Sequence, residues 1–251
     1  MKKEWVSLKN VGKMMYENDR EKWIMKDINF NLHEKEIIAI VGPSGTGKTM
    51  LLRMLAGLET VSEGKITFFV SSTTVSDLVS MVFHDFALVP WLNVKDNIDL
   101  AVEHIAISKD EKQARVRKYI EMLGLEGYEK SQPFELSRGL KQKVGVARAL
   151  AVEPLILLMD EPFVNLDPLT AHAMRDELLA LWDNKEFPTN SILMTSHSIE
   201  EAVYMADKII ILDGKPGGIK RMVDINLERP RDMKSNKFEK HVSRVYELLV
   251  G

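Results

Sequence analysis

The run Gly42-Pro43-Ser44-Gly45-Thr46-Gly47-Lys48-Thr49 has the spacing G-x-x-x-x-G-K-[ST]. Those residue types suit one task, holding a chain of phosphates. Glycines let the backbone approach closely, and the loop's N–H groups point inward as an anion nest. A helix starting behind the loop adds the positive end of its dipole. Lys48 would reach the β- and γ-phosphates, and the Thr49 hydroxyl would ligate magnesium. Two competing patterns fail on spacing. A dinucleotide fingerprint starting at Gly45 needs glycine where Met50 stands, and a nucleophile elbow around Ser44 needs glycine where Thr46 stands.

A second constellation closes the apolar run Leu155-Ile156-Leu157-Leu158-Met159 with Asp160-Glu161. In a parallel sheet the C-terminal strand ends face the binding crevice, so both acids would emerge near the phosphates. Asp160 can hold magnesium, directly or through water. Glu161 can orient and deprotonate an attacking water.

These groups need a scaffold. Ile28, Phe30 and Leu32 alternate with Asn29 and Asn31, the period of a half-buried strand. Glu36–Val41 is a continuous apolar run, as in a strand buried on both faces. The spacing predicts a helix over Met50–Leu58 and further strands at Ser191–Thr195 and Ile209–Leu212. Apolar strands separated by helical stretches give an α/β fold with a mostly parallel sheet, preceded by an antiparallel β region. From Asp96 to Leu150 the pattern is helical. Ser108 with Glu111 predicts a capped helix running to about Leu123, broken by Gly124 and Gly127. The expected plan is one domain over 1–251: an α/β core at about 1–86 and 151–215, an inserted helical subdomain at about 87–150, and a basic tail at 216–251 lying as solvated surface.

Composition narrows the class. With 34 basic and 37 acidic residues the formal charge is −3, which argues against unspecific nucleic-acid binding. There is no cysteine, which excludes disulfides, iron–sulfur clusters and Cys-ligated zinc. The start MKKEWVSLKN has no apolar stretch after its lysines and is not expected to be a secretory signal. The longest apolar runs fall far short of the roughly 20 residues of a membrane-spanning helix.

Taken in order, GPSGTGKT at 42–49, VFHDFALVPWLNVKDNI at 82–98, LSRGLKQKVGVARAL at 136–150, LLMDEPFVNLD at 157–167 and MTSHSIEEAVYMAD at 194–207 resemble the ATP-binding-cassette family over nearly the whole chain. Pro90-Trp91-Leu92, with Arg229-Pro230-Arg231-Asp232, is similar to the branch that powers nitrate, sulfonate and taurine importers. The resemblance implies a P-loop nucleoside-triphosphatase fold and an ATPase that uses ATP and Mg2+. Two cassettes would close head to tail, with Ser137 and Gly139 of one capping the γ-phosphate held by the other. It implies that His197 contacts the γ-phosphate and positions water, and that Asp167 links the two sites. Tyr16 is the nearest match to the aromatic that stacks on adenine, with Met15 as the other occupant of that slot. Implied partners are a second cassette, expected as a homodimer though a different cassette would serve, a transmembrane permease and, indirectly, an external solute-binding protein. The chain would then sit at the cytoplasmic face of the membrane. Phe86, Val89, Pro90, Trp91 and Leu92 would form an apolar socket for a permease helix, or else pack as core.

Two positions depart from the family pattern. His84 stands where the family has a magnesium-binding glutamine, and imidazole is a poor ligand for that ion. It would act through a water or report on permease docking. Arg138 replaces a glycine of the signature, and either points into solvent or faces the γ-phosphate. These departures sustain a rival reading, a regulatory cassette with little turnover. A non-transport cassette is the other rival. His33, His104, His172 and His241 show no metal-ligand spacing.

Overall fold

Residues 2–17, 20–70, 75, 78–184 and 187–251 are described by the computed structural model. Strands β1 (Glu4–Glu17) and β2 (Arg20–His33) pair antiparallel, and Ile28, Phe30 and Leu32 point inward as the alternation requires. Strand β3 (Glu36–Val41), buried at all six positions, leads into the glycine-rich loop and helix α1 (Lys48–Leu55). Strand β4 (Glu63–Phe68) returns to pair with β1, giving the sheet order β2-β1-β4. Helix α1 begins and ends earlier than Met50–Leu58. Gly47 feeds it directly, and Gly57 at φ 71 stops it after the Ala56 cap.

The next stretch holds β5 (Val79–Val82), α2 (Val94–Val102), α3 (Lys109–Met122), a 3-10 turn at Pro133–Glu135, α4 (Arg138–Ala151), β6 (Ile156–Asp160) and α5 (Pro168–Asp183). The chain then returns with β7 (Ser191–Ser196), α6 (Ile199–Met205), β8 (Lys208–Asp213), β9 (Gly218–Asp224) and α7 (Asn236–Val250). Contacts divide the chain into two units, Met1–Val75 with Asn190–Gly251, and Ser76–Thr189.

In the first unit β3 lies between β7 and β8, parallel to both, and β9 closes the edge antiparallel to β8. The runs IIAIV, ILMT and IIIL are buried throughout, which is why they read as continuous rather than alternating. In the second unit β5 and β6 pair in parallel, and α2, α3 and α4 pack on one another, with Ile98, Val116, Ile120, Val144 and Leu150 buried. Ser108 caps α3 as expected, accepting the Glu111 N–H at 3.2 Å.

The tail is not a solvated surface. It forms β9 and α7, and Arg231 is buried with only 1% of its side chain exposed. Arg229 and Arg231 turn inward, Lys220 and Arg221 lie on β9, and Lys237 and Lys240 lie on α7.

Candidate functional site

In the first unit, β3 ends at Val41 and the chain turns at Gly42. A Cβ at Gly42 would stand 2.3 Å from the Leu212 carbonyl oxygen, so the turn requires glycine for space. Gly45 and Gly47 have φ of 84 and 93, where L side chains are strained. Thr46 Oγ1 donates to the Pro43 carbonyl at 2.9 Å and holds the loop in its curve. Lys48 is buried, and its ammonium donates to the carbonyls of Gly42 at 2.8 Å and Pro43 at 3.2 Å, crossing the mouth of the loop. Pro43, Ser44 and Gly45 form the exposed crest, and Thr49 follows in the first turn of α1.

The start of α1 is distinctive. The other six α-helices each carry a side-chain N-cap, from Asn93, Ser108, Ser137, Asp167, Ser198 and Ser235. Among the described residues α1 alone begins at a residue without one, the left-handed Gly47. Its first N–H groups are therefore not taken by a cap, and they meet the positive end of the helix dipole. A helix terminus of this kind can bind an anion.

His197 belongs beside this loop. The parallel register pairs Val41 with Ser196, so Gly42 and His197 each follow at neighbouring strand ends. His197 is exposed, between Ser196 and the α6 cap Ser198, whose N–H donates to Ser196 Oγ at 3.0 Å. Gly217 lies under the loop. A Cβ there would come within 2.0 Å of the Thr46 carbonyl oxygen. Nothing local in KPGG announces that role, because Thr46 is remote in sequence.

In the second unit, β6 delivers the two acids. Asp160 is its last residue and 2% exposed, and Glu161 follows at φ 48, in the left-handed region. A non-glycine residue there is strained, and such strain gathers at functional positions. His84 follows β5, which is in register with β6 from Val79 with Ile156 to Val82 with Met159. Its Nδ1 stands 3.9 Å from Asp160 Oδ2, and Asn165 Nδ2 donates to its carbonyl at 2.6 Å.

Ser137 and Asp167 are both helix caps. Ser137 Oγ accepts the Leu140 N–H at 3.3 Å at the head of α4, which leaves its hydroxyl proton able to donate elsewhere. Asp167 Oδ1 accepts the Thr170 N–H at 3.1 Å, and bonding with Thr170 holds its carboxyl below the usual range. The two caps are neighbours, since a Cβ on Gly139 would meet Thr170 Cγ2 at 2.7 Å. Arg138 is exposed at the first position of α4.

The segment from Phe86 to Ile98 is organised around buried polar groups that sequence reasoning missed. Phe86 and Ala87 both have positive φ, 66 and 45. Arg148, on α4, donates to their carbonyls at 3.1 and 2.6 Å. Asn97 is fully buried on α2. Its Oδ1 accepts the Val89 N–H at 2.8 Å, while Nδ2 donates to the carbonyls of Leu92 at 2.9 Å and Asn93 at 3.0 Å. Trp91, on the loop so held, is 78% exposed and is not core.

A model of the family described as ABC transporter matches residues 25–164, more than half of the chain, including the glycine-rich loop, Ser137, Gly139, Asp160 and Glu161. The chain belongs to the ABC transporter family. Relatives of this ABC cassette include proteins with importer names. The aliphatic sulfonates import ATP-binding protein SsuB of Bacillus anthracis is 35% identical, over 96% of this chain and 94% of its own. The nitrate import ATP-binding protein NrtD of Synechocystis sp. is 36% identical, over 90% and 88%. The taurine import ATP-binding protein TauB of Pseudomonas syringae pv. tomato is 38% identical, over 82% and 78%. Among solved structures, the ATP-binding cassette MJ0796, in a dimeric post-hydrolysis state bound to ADP and Pi, superposes with a TM-score of 0.75. The match is 29% identical and covers 89% of this chain and 100% of that one.

The ABC cassette's donors can be weighed against magnesium. The Asp160 carboxylate and the Thr49 hydroxyl are hard oxygen donors and fit it. The His84 imidazole does not fit as a direct ligand, since nitrogen suits later transition metals. Among the described residues no cluster of three or more His, Cys, Asp or Glu could hold a metal by itself. His33 and His172 instead face Glu36 at 3.3 Å and Asp176 at 3.6 Å. No described helix is long and apolar enough to cross a membrane.

Proposed function

We propose that this chain is the ATP-hydrolysing motor subunit of an ABC importer of the sulfonate, nitrate and taurine type, working as a pair of identical cassettes. The observation that carries the phosphate-binding role is the uncapped start of α1 behind a glycine loop crossed by the Lys48 ammonium. In this reading Gly42–Thr49 hold the phosphates of ATP, and Lys48 leaves its carbonyl partners for the β- and γ-oxygens. Magnesium, when bound, would neutralise charge on those oxygens, with Thr49 and Asp160 as its protein ligands. Glu161 takes a proton from water as the water oxygen bonds to the γ-phosphorus and the bridge to ADP breaks. His197 donates a hydrogen bond to the γ-phosphate, and exposed Tyr16 stacks on adenine.

Ser137 and Gly139 of the partner cassette complete the site, so ATP draws the pair together. Asp167, packed beside the signature loop, relays between the two sites. The Trp91 loop receives a permease helix at the cytoplasmic face of the membrane. Its exposed indole supports that reading, because tryptophans are enriched among the residues that carry binding energy at interfaces. The permease, in turn, takes solute from an external binding protein.

Light scattering on the Glu161→Gln variant tests the pairing. ATP should convert monomer to dimer, and ADP should not. A monomer at saturating ATP contradicts the reading.

A further inference from the structure

Helix α6 begins immediately after Ser198, the residue that follows His197, and is only seven residues long. A helix of that length does not hold itself in water. Its last four carbonyls, of Val203, Tyr204, Met205 and Ala206, have no partner within the helix. Two arginines from the C-terminal segment take all four. The two N–H groups of Arg231 Nη1 are shared among Val203 at 2.6 Å, Tyr204 at 3.1 Å and Ala206 at 2.7 Å, and Arg229 Nη2 donates to Met205 at 2.6 Å. Arg231 Nε adds the Leu227 carbonyl at 3.1 Å. Both charges also complement the negative end of the helix dipole.

Asp207 extends the clasp to the strand that carries the phosphate loop. Its Oδ1 pairs with Arg229 at 2.7 Å, and its Oδ2 accepts the Ile37 N–H of β3 at 2.9 Å. Its own N–H donates to the Ile37 carbonyl at 2.7 Å. Burial, then the neighbouring Arg229 charge, pushes the Arg231 guanidinium down to about 10, which leaves it charged at neutral pH. One end of α6 is thus clamped to β3 by charge, while the other end carries His197 beside the loop that β3 feeds.

We propose that Arg231 and Arg229 are positioning residues for ATP hydrolysis, fixing α6 along its axis and so setting where His197 stands. The proposal rests on the reading of His197 as the γ-phosphate contact. A helix that slides or frays displaces the imidazole, and a displacement near 1 Å can cost on the order of a hundredfold in rate. ATP affinity depends on Lys48 and the loop, and is spared.

The test combines steady-state ATPase kinetics with NMR of ring-labelled histidines on Arg231→Met and Arg231→Lys. Arg231→Met should lower kcat about tenfold with the KM for ATP within about twofold, and Arg231→Lys should recover part of the loss. The His197 ring signals should shift in Arg231→Met, while those of His84, His104 and His172 in the second unit stay. Unshifted His197 signals, an unchanged kcat, or a KM that rises with the fall in kcat would overturn the proposal. If Arg231→Met does not fold, Arg229→Met is read the same way. A native protein without turnover, whose His197 signals still move on Arg231→Met, refutes the hydrolytic reading and leaves the clasp standing.

Discussion

The Gly42–Thr49 loop and the Phe86–Leu92 loop both place backbone in the left-handed region, but with opposite materials. The first uses glycines, at φ 84 and 93, and holds its shape largely through its own atoms, with Thr46 and Lys48 bonding Pro43 and Gly42. The second uses Phe86 and Ala87, at φ 66 and 45, and is held from outside by Arg148 and Asn97. A loop that must wrap phosphates needs N–H groups turned inward and no side chains in the way. A loop that must present an indole needs side chains, so it relies on distant helices for its conformation.

The largest expected effect falls on the first loop. Gly217→Ala forces a Cβ to within 2.0 Å of the Thr46 carbonyl, whereas at Gly218 the nearest atom is 3.8 Å away. Strain of about 3 kcal/mol passed to the loop would weaken ATP binding roughly a hundredfold, and Gly218→Ala should bind as the native protein does. Isothermal titration of the two variants checks this. Equal affinity would show that the loop does not depend on its floor.

The frame of the second loop comes next. Asn97→Ala leaves the part-buried Val89 N–H without its acceptor and should cost about 2 kcal/mol in urea unfolding. Arg148→Met removes two charge-assisted bonds and should cost about 2 kcal/mol. The first loop should be untouched in both variants, so ATP affinity should stay native. A fall in affinity would break the contrast drawn between the two loops.

A smaller effect is expected at the base of β3. Burial alone would raise the Glu36 carboxyl, but the Lys208 hydrogen bond, the His33 N–H and the Lys208 charge together hold it below its ordinary value. A carboxyl depressed in the native state adds stability above its unfolded value and loses it as pH falls through the native one. Glu36→Gln should therefore cost about 1 kcal/mol at neutral pH, and the gap should close in acid, below the ordinary carboxylate range of about 4.3. Thermal melts from pH 7 downward read it, and a gap independent of pH contradicts the assignment. The smallest effect should be Trp91→Ala, which at 78% exposure should shift stability by less than about 0.5 kcal/mol and leave isolated-cassette ATPase unchanged.

What could be read in the sequence was local. The glycines and Lys48 stand at fixed spacing within eight positions, Asp160 and Glu161 close one apolar run, and β3, β7 and β8 are continuous apolar stretches. Long-range pairings were out of reach. Arg148 acts on carbonyls 61 and 62 positions away, and Arg231 acts on carbonyls 25 to 28 positions away. In a basic tail such arginines look like solvated charge, because nothing nearby shows that four helix carbonyls need donors. The left-handed Glu161 was hidden for another reason, since backbone strain at a non-glycine residue leaves no mark on residue type.

Magnesium-dependent ATP turnover by the purified chain, measured beside Glu161→Gln, decides whether this cassette is a motor. The native protein should hydrolyse ATP to ADP and phosphate, and the variant should bind ATP with turnover reduced at least about a hundredfold. A variant that hydrolyses ATP as fast as the native chain would contradict the role given to Glu161. A native chain that binds ATP without turnover, even with the proposed permease present, would contradict the motor itself.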